Sequence, residues 1–163
     1  SRLSVIQSGA EHMNTVVKLS LGMIVGLVSL SSVAAELLVT PATSLSKIGG
    51  RSVALDLVTD GNVSGFNFVV RLGSELDGKS VDVSKCLVEL PKGFSGGCKQ
   101  NKDGIYVAAM SNDASTLPAG VTGVGTIVLG SALAKGGAQV AIDSLVLINE
   151  KAETISSSHQ VSQ

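Results

Sequence analysis

Hydrophobic and polar positions alternate along several short stretches of the chain, most clearly over residues 63–72, VSGFNFVVRL. Phe66, Phe68, Val70 and Leu72 fall on one side of a two-residue repeat and Gly65, Asn67, Val69 and Arg71 on the other, the period of a strand with one buried face. Two of the three phenylalanines of a chain without tryptophan lie here. The stretch therefore predicts a central strand that carries the largest core side chains. Residues 51–59 (RSVALDLVT) alternate in the same way, with Val53, Leu55 and Leu57 on one face. Asp60, Gly61 and Asn62 follow as turn formers, so these two strands are expected to form an antiparallel hairpin.

Residues 36–41 (ELLVTP) form an apolar run ended by proline, which suits an edge strand. The GSELDGKS stretch at 73–80 is a connection with room for one helical turn over 74–77. Val81, Val83, Cys86, Val88 and Leu90 predict a strand whose alternation breaks near Ser84 and Lys85, as at a bulge, and Pro91 ends it. The glycine-rich residues 92–102 read as a surface loop. Asn101 to Gly104 (NKDG) is a tight turn into a strand at 105–110. Strands at 123–129 and 139–148 follow, separated by loops, with a last turn at 149–154 and a short closing strand at Ile155. The polar tail from residue 156 is expected to fray. This spacing predicts an all-β fold, a two-sheet antiparallel sandwich of seven or more short strands, with a closed barrel as the competing architecture.

Met13 opens a segment of a different kind. Lys18 supplies a positive charge, residues 19–30 an apolar stretch, and Ser32, Val33, Ala34 and Ala35 a run of small residues. That order is the signature of a secretory signal peptide over residues 13–35, with cleavage after Ala35. A transmembrane anchor is the competing reading of the same stretch, disfavoured by its glycines, serines and small terminal residues. Residues 1–12 read as translated upstream sequence or as a remnant of expression, without a function. Residues 36–163 then make one domain, large enough to bury a core and expected to be secreted, extracellular or periplasmic, with no membrane association. This domain carries ten basic and twelve acidic residues without long runs of one sign. Such a balance leaves no electrostatic footprint for nucleic acid.

The chain has two cysteines, Cys86 and Cys98. In an oxidising compartment a disulfide between them is the simplest reading, worth about 2 to 3 kcal/mol for so short a loop. A metal or redox pair would call for a CxxC spacing or a nearby histidine, and neither is present. His159 is the one histidine of residues 36–163 and lies in the polar tail, so no imidazole base is placed beside a nucleophile. Asp56, Asp82, Glu89 and Asp143 are the strand-region carboxylates a glycosidase could use, but alternation makes them outward-facing polar positions. No catalytic residue, metal ligand set or cofactor is assigned. Oxygen ligands that could hold calcium cluster at turns such as Asp60 and Asn62, or Asn101 and Asp103, where turn chemistry explains them equally well. Asn62, Val63 and Ser64 also make a glycosylation sequon.

The stretches LLVTP, SVALDL, VSGFNF, GVGTIVL and QVAIDSLVLINEKAETI, in this order over most of residues 36–163, resemble the cohesin domains and their relatives among cellulose-binding sandwich modules. The resemblance implies a jelly-roll sandwich of about nine short strands that binds a dockerin-type protein partner through one sheet face, in an extracellular polysaccharide-related setting. The loop between the cysteines is an addition to that pattern. The candidate binding face comprises Asn67, Val69, Arg71, Tyr106 and Met110, with Ala108 between the last two. It mixes apolar contact with an arginine, as interface cores do. Two alternatives come from other classes. A carbohydrate-binding module would need exposed rings, and only Tyr106 and Phe94 are on offer. A structural subunit of a surface assembly would add strands at an uncovered sheet edge.

Overall fold

The computed structural model describes residues 35–41, 51–73, 81–130 and 140–162, all within one compact unit, Val33–Gln163. The described residues form nine strands: β1 Ala35–Pro41, β2 Arg51–Thr59, β3 Gly65–Leu72, β4 Phe94–Asn101, β5 Gly104–Ser111, β6 Gly120–Gly130, β7 Val140–Ile148, β8 Thr154–Ile155 and β9 Ser157–Val161. They lie in two sheets, one ordered β6-β2-β1-β9 and the other β4-β5-β3-β7-β8. Every described pairing is antiparallel except that of β1 with β9. The expected all-β sandwich is therefore observed, and it has the jelly-roll arrangement.

Alternation in the sequence becomes burial. Leu37 and Val39 of β1, Val53, Leu55 and Leu57 of β2, Phe66, Phe68 and Val70 of β3, and Ile105 and Val107 of β5 fill the space between the sheets. The rings of Phe66 and Phe68 stack with centroids 5.9 Å apart. Aliphatic side chains supply most of the rest, and each one fully buried stabilises the fold by about 1.5 to 3 kcal/mol. The expected place of β3 holds, since it is the middle strand of the five-stranded sheet. Gly104 ends the turn into β5 at φ +145°, and a Cβ there would lie 2.6 Å from the Val70 carbonyl oxygen. Both the conformation and the close approach require glycine.

Several local expectations are corrected. β2 and β3 belong to different sheets, so the turn at residues 60–62 crosses the sandwich instead of closing a hairpin. β1 is internal, because the tail expected to fray pairs with it as β9: Leu37 stands opposite His159 and Val39 opposite Val161. Residues 81–90 are a series of turns and no strand. Cys86 N donates to Val83 O and Leu90 N to Leu87 O, and a single bridge joins Asp82 to Val128. That turn spacing brings Val81, Val83, Cys86, Leu87 and Leu90 against the core, which explains why the apolar positions look almost strand-like. The glycine-rich residues 94–101 are strand β4, paired residue for residue with β5. Here the ladder to β5 overrides the low strand propensity of glycine. The helical turn expected at 74–77, and the signal peptide up to residue 34, lie outside the described residues.

Candidate functional site

Two strands of the five-stranded sheet, β3 and β5, bring the candidate residues onto one outward face, and β4 and β7 add residues that alternation alone did not point to. The register defines rows that run across the strands. One row is Ser95, Met110, Gly65 and Ile148; the next is Gly97, Ala108, Asn67 and Val146; the third is Lys99, Tyr106, Val69 and Asp143. The middle row has small side chains on β4 and β5. Bulky side chains stand on either side of it, with Met110 56% and Tyr106 43% exposed.

The surface accordingly dips along the middle row. A mainly apolar groove of about 430 Å³ is lined by Phe66, Asn67, Gly97, Ala108, Met110 and Ile148 among others. A second depression of about 230 Å³ lies beside it, lined by Asn67, Ala108, Tyr106, Arg71 and Asp143 among others. Asn67 and Ala108 belong to both. Asn67 is thus an exposed amide in the middle of an apolar floor.

A bulge in β7 shapes one side. The register to β3 slips between Asn67 and Val69, and Ser144 takes up the slack at φ 56°. The extra residue places Asp143 and Val146 on the same face, although they are three positions apart. Asp143 there meets Arg71, whose Nη2 and Nε donate to Asp143 Oδ2 at 2.8 and 2.9 Å. Both side chains are about half exposed, so solvent screens the pair and its contribution to stability is small.

Of the five residues expected on the face, Asn67, Arg71, Tyr106 and Met110 are exposed, and they are brought together. Val69 shares the face but is only 8% exposed. Its cross-strand neighbours Tyr106 and Asp143 flank it, so it supports the site rather than presenting itself. Gly96, Gly97, Val146 and Ile148 were missed. The Gly-Gly pair looked like loop, and the bulge at Ser144 breaks the alternation that would have marked Val146 and Ile148 as outward. Phe94, considered as an exposed ring, is half-buried against the core.

At the Ser95 end of the groove, Ser95 Oγ donates to Asn112 Oδ1 at 2.7 Å and Ser111 Oγ to Asp113 Oδ1 at 2.9 Å. Hydrogen bonds from Ser115 and then Ser111 hold the Asp113 carboxyl below the usual aspartate value of 3.8. Asp113 therefore stays charged in the loop that follows β5. The strand-region carboxylates are dispersed: Asp56 is on β2 of one sheet and Asp143 on β7 of the other, while Asp82 accepts a bond from Ser84 N. His159 is exposed on β9. At the candidate calcium turns, Asn101 Oδ1 is occupied by the amide of Asp103, and Asn62 Oδ1 is shielded from solvent. Among the described residues no group of three or more His, Cys, Asp or Glu could hold a metal ion. Cys86 and Cys98 are joined in a disulfide, with Cα atoms 6.5 Å apart.

Comparison with solved structures places the fold among jelly-roll β-sandwich modules. The chain has a cohesin-like fold. A structure of a CaDoc0917–CaCohA2 complex matches with a TM-score of 0.53 and 12% identity, over 78% of this chain and 98% of that one. A non-cellulosomal cohesin from the hyperthermophilic archaeon Archaeoglobus fulgidus matches with a TM-score of 0.52 and 8% identity, over 79% and 91%. The type II cohesin A11 from Bacteroides cellulosolvens matches with 0.52 and 13%, over 77% and 95%. No protein-family model and no curated protein sequence matches the chain.

Proposed function

We propose that this chain is a secreted, non-catalytic binding module that recognises a dockerin-type protein partner through the outward face of the sheet β4-β5-β3-β7, in an extracellular polysaccharide-related setting. The observation that carries this reading is the low row Gly97, Ala108, Asn67 and Val146 between two bulky rows. Met110 and Tyr106 stand four residues apart on one strand, a separation of about 14 Å at the rise of an extended chain. An α-helix with its side chains is about 10 to 12 Å across. The groove thus accepts a helix laid across the strands, with Asn67 beneath it to fix its position and the Arg71–Asp143 pair beside it. The cohesin-like fold and the sequence resemblance support the same partner. The apolar floor favours protein contact over sugar, which is gripped by exposed rings; on this face only Tyr106 provides one.

Entry to the secretory route through residues 13–35 and cleavage after Ala35 belong to the same proposal. The domain then begins at Glu36, within β1, and loses from that strand its first residue, the buried Ala35, with its pairing to Thr59 and Ser157.

The test is titration calorimetry of purified residues 36–163 against a panel of isolated dockerin modules, with a Gly97→Val variant beside the parent. Binding by the parent that the variant loses supports the reading. Absence of binding across the panel, together with retention on insoluble or soluble polysaccharide in affinity gels, overturns it in favour of a carbohydrate-binding module.

A further inference from the structure

Residues 81–90 close the open side of the sandwich, where β6 ends one sheet and β4 ends the other. Their backbone is bonded to β6: Asp82 exchanges two hydrogen bonds with Val128, Glu89 N donates to Val124 O, and Thr126 N donates to Lys85 O. Gly125 permits this approach, because a Cβ there would collide with the carbonyl oxygens of Lys85 and Cys86. The links to β4 are of another kind. Val81 N donates to Gln100 Oε1 at 3.0 Å, and the disulfide joins Cys86 to Cys98.

β4 is weakly held by other means. Its described ladder is to β5, its residues Ser95, Gly96, Gly97 and Lys99 are exposed, and only Phe94 and Cys98 pack against the core. Glycine in a strand also gives up backbone entropy without burying a side chain. Yet Gly96 and Gly97, the two residues just before Cys98, line the β4 end of the groove.

We propose that the Cys86–Cys98 bond is a strut that sets the position of this end of the groove against β6, so that opening it with a dithiol reductant frees β4 and reshapes the groove. Cys86 is buried and Cys98 is partly exposed, so a thiolate of the reductant attacks Sγ of Cys98. Cys86 departs as a thiolate and takes up a proton. The second thiol of the reductant then resolves the mixed disulfide, which releases Cys98 as a thiol and leaves the reductant oxidised by two electrons. The consequence for docking rests on the binding face proposed above, whereas the strut itself does not.

Hydrogen exchange read by mass spectrometry tests the strut without a partner, on the full chain with the bond intact and after reduction by dithiothreitol. Exchange in residues 94–101 is expected to accelerate about tenfold or more, with residues 65–72 and 140–148 unchanged, as for a local opening. Unchanged exchange in 94–101 overturns the proposal. So does equal acceleration in every strand, which would make the bond a general constraint on the unfolded chain. A Cys86→Ser, Cys98→Ser double variant repeats the comparison without reductant; if it does not fold, reduction of the native protein decides. Dockerin binding on the same samples is a separate readout, so failure of the docking face is distinguishable from failure of the strut.

Discussion

Gly96 and Gly97 are adjacent on β4, both extended, and the structure assigns them opposite responses to the same substitution. A Cβ built at Gly97 meets nothing within 4 Å, whereas at Gly96 it collides with the carbonyl oxygen of Ala108 and lies 2.6 Å from Ala109 Cα and 2.8 Å from Ala109 Cβ. Gly97→Ala therefore keeps only the benefit of a less flexible unfolded chain, a stabilisation of about 0.4 to 1 kcal/mol. Gly96→Ala gains the same benefit but forces β4 away from β5, and overpacking of this kind costs about 1 to 3 kcal/mol. The shared benefit cancels, so the two variants should differ by about 2 kcal/mol, the central value of the overpacking cost alone. Urea unfolding of the oxidised proteins measures the difference directly. At an m-value of about 2 kcal/mol per molar, the midpoints should stand about 1 M apart with m unchanged. Equal midpoints, or a lower midpoint for Gly97→Ala, would refute the register of β4 on β5 and with it the groove. The same geometry explains the choice of Gly97→Val for binding work, since the larger side chain fills the groove while the ladder stays intact.

Three further outcomes are expected. Arg71→Glu replaces an exposed ion pair by two facing carboxylates; stability should change by less than about 1 kcal/mol, while dockerin affinity in calorimetry should fall about tenfold or more if the charge lies at the interface. Phe68→Ala removes a ring that is 1% exposed and should cost about 3 to 5 kcal/mol in urea unfolding; a cost below about 1 kcal/mol would deny β3 its central place. Asp113, whose carboxyl is held below 3.8 by hydrogen bonds from Ser115 and Ser111, stabilises the folded form above that ordinary value. The contribution is lost as pH falls through the lower folded value. Carboxyl NMR titration should show the depressed value, and Ser111→Ala with Ser115→Ala should return it toward 3.8; an unmoved titration would deny these hydrogen bonds.

The character of the strands was legible in the sequence because a two-residue alternation has one physical meaning when one face is buried. Val53, Leu55, Leu57, Phe66, Phe68 and Val70 were placed inward by their spacing alone, and all are buried. The side taken by all five candidate face residues followed from the same rule, since the positions between buried ones must point the other way, although Val69 is covered by its neighbours. Turn chemistry marked Asp60 to Asn62 and Asn101 to Gly104. Alternation is local, however, and does not say which strand lies beside which. Only the tertiary structure decided that β2 and β3 part into different sheets, that the polar tail adds β9 beside β1, and that Gly96 and Gly97 join a ladder. It also decided that a bulge at Ser144 turns Asp143 and Val146 to one side. Each of these depends on a partner distant in sequence, whose hydrogen bonds and side-chain contacts outweigh the weak preferences of serine, glycine and histidine for any one conformation. The inward positions were set by local pattern; the groove, built from four strands and lowered by the small residues that happen to meet in one row, exists only once the strands are paired.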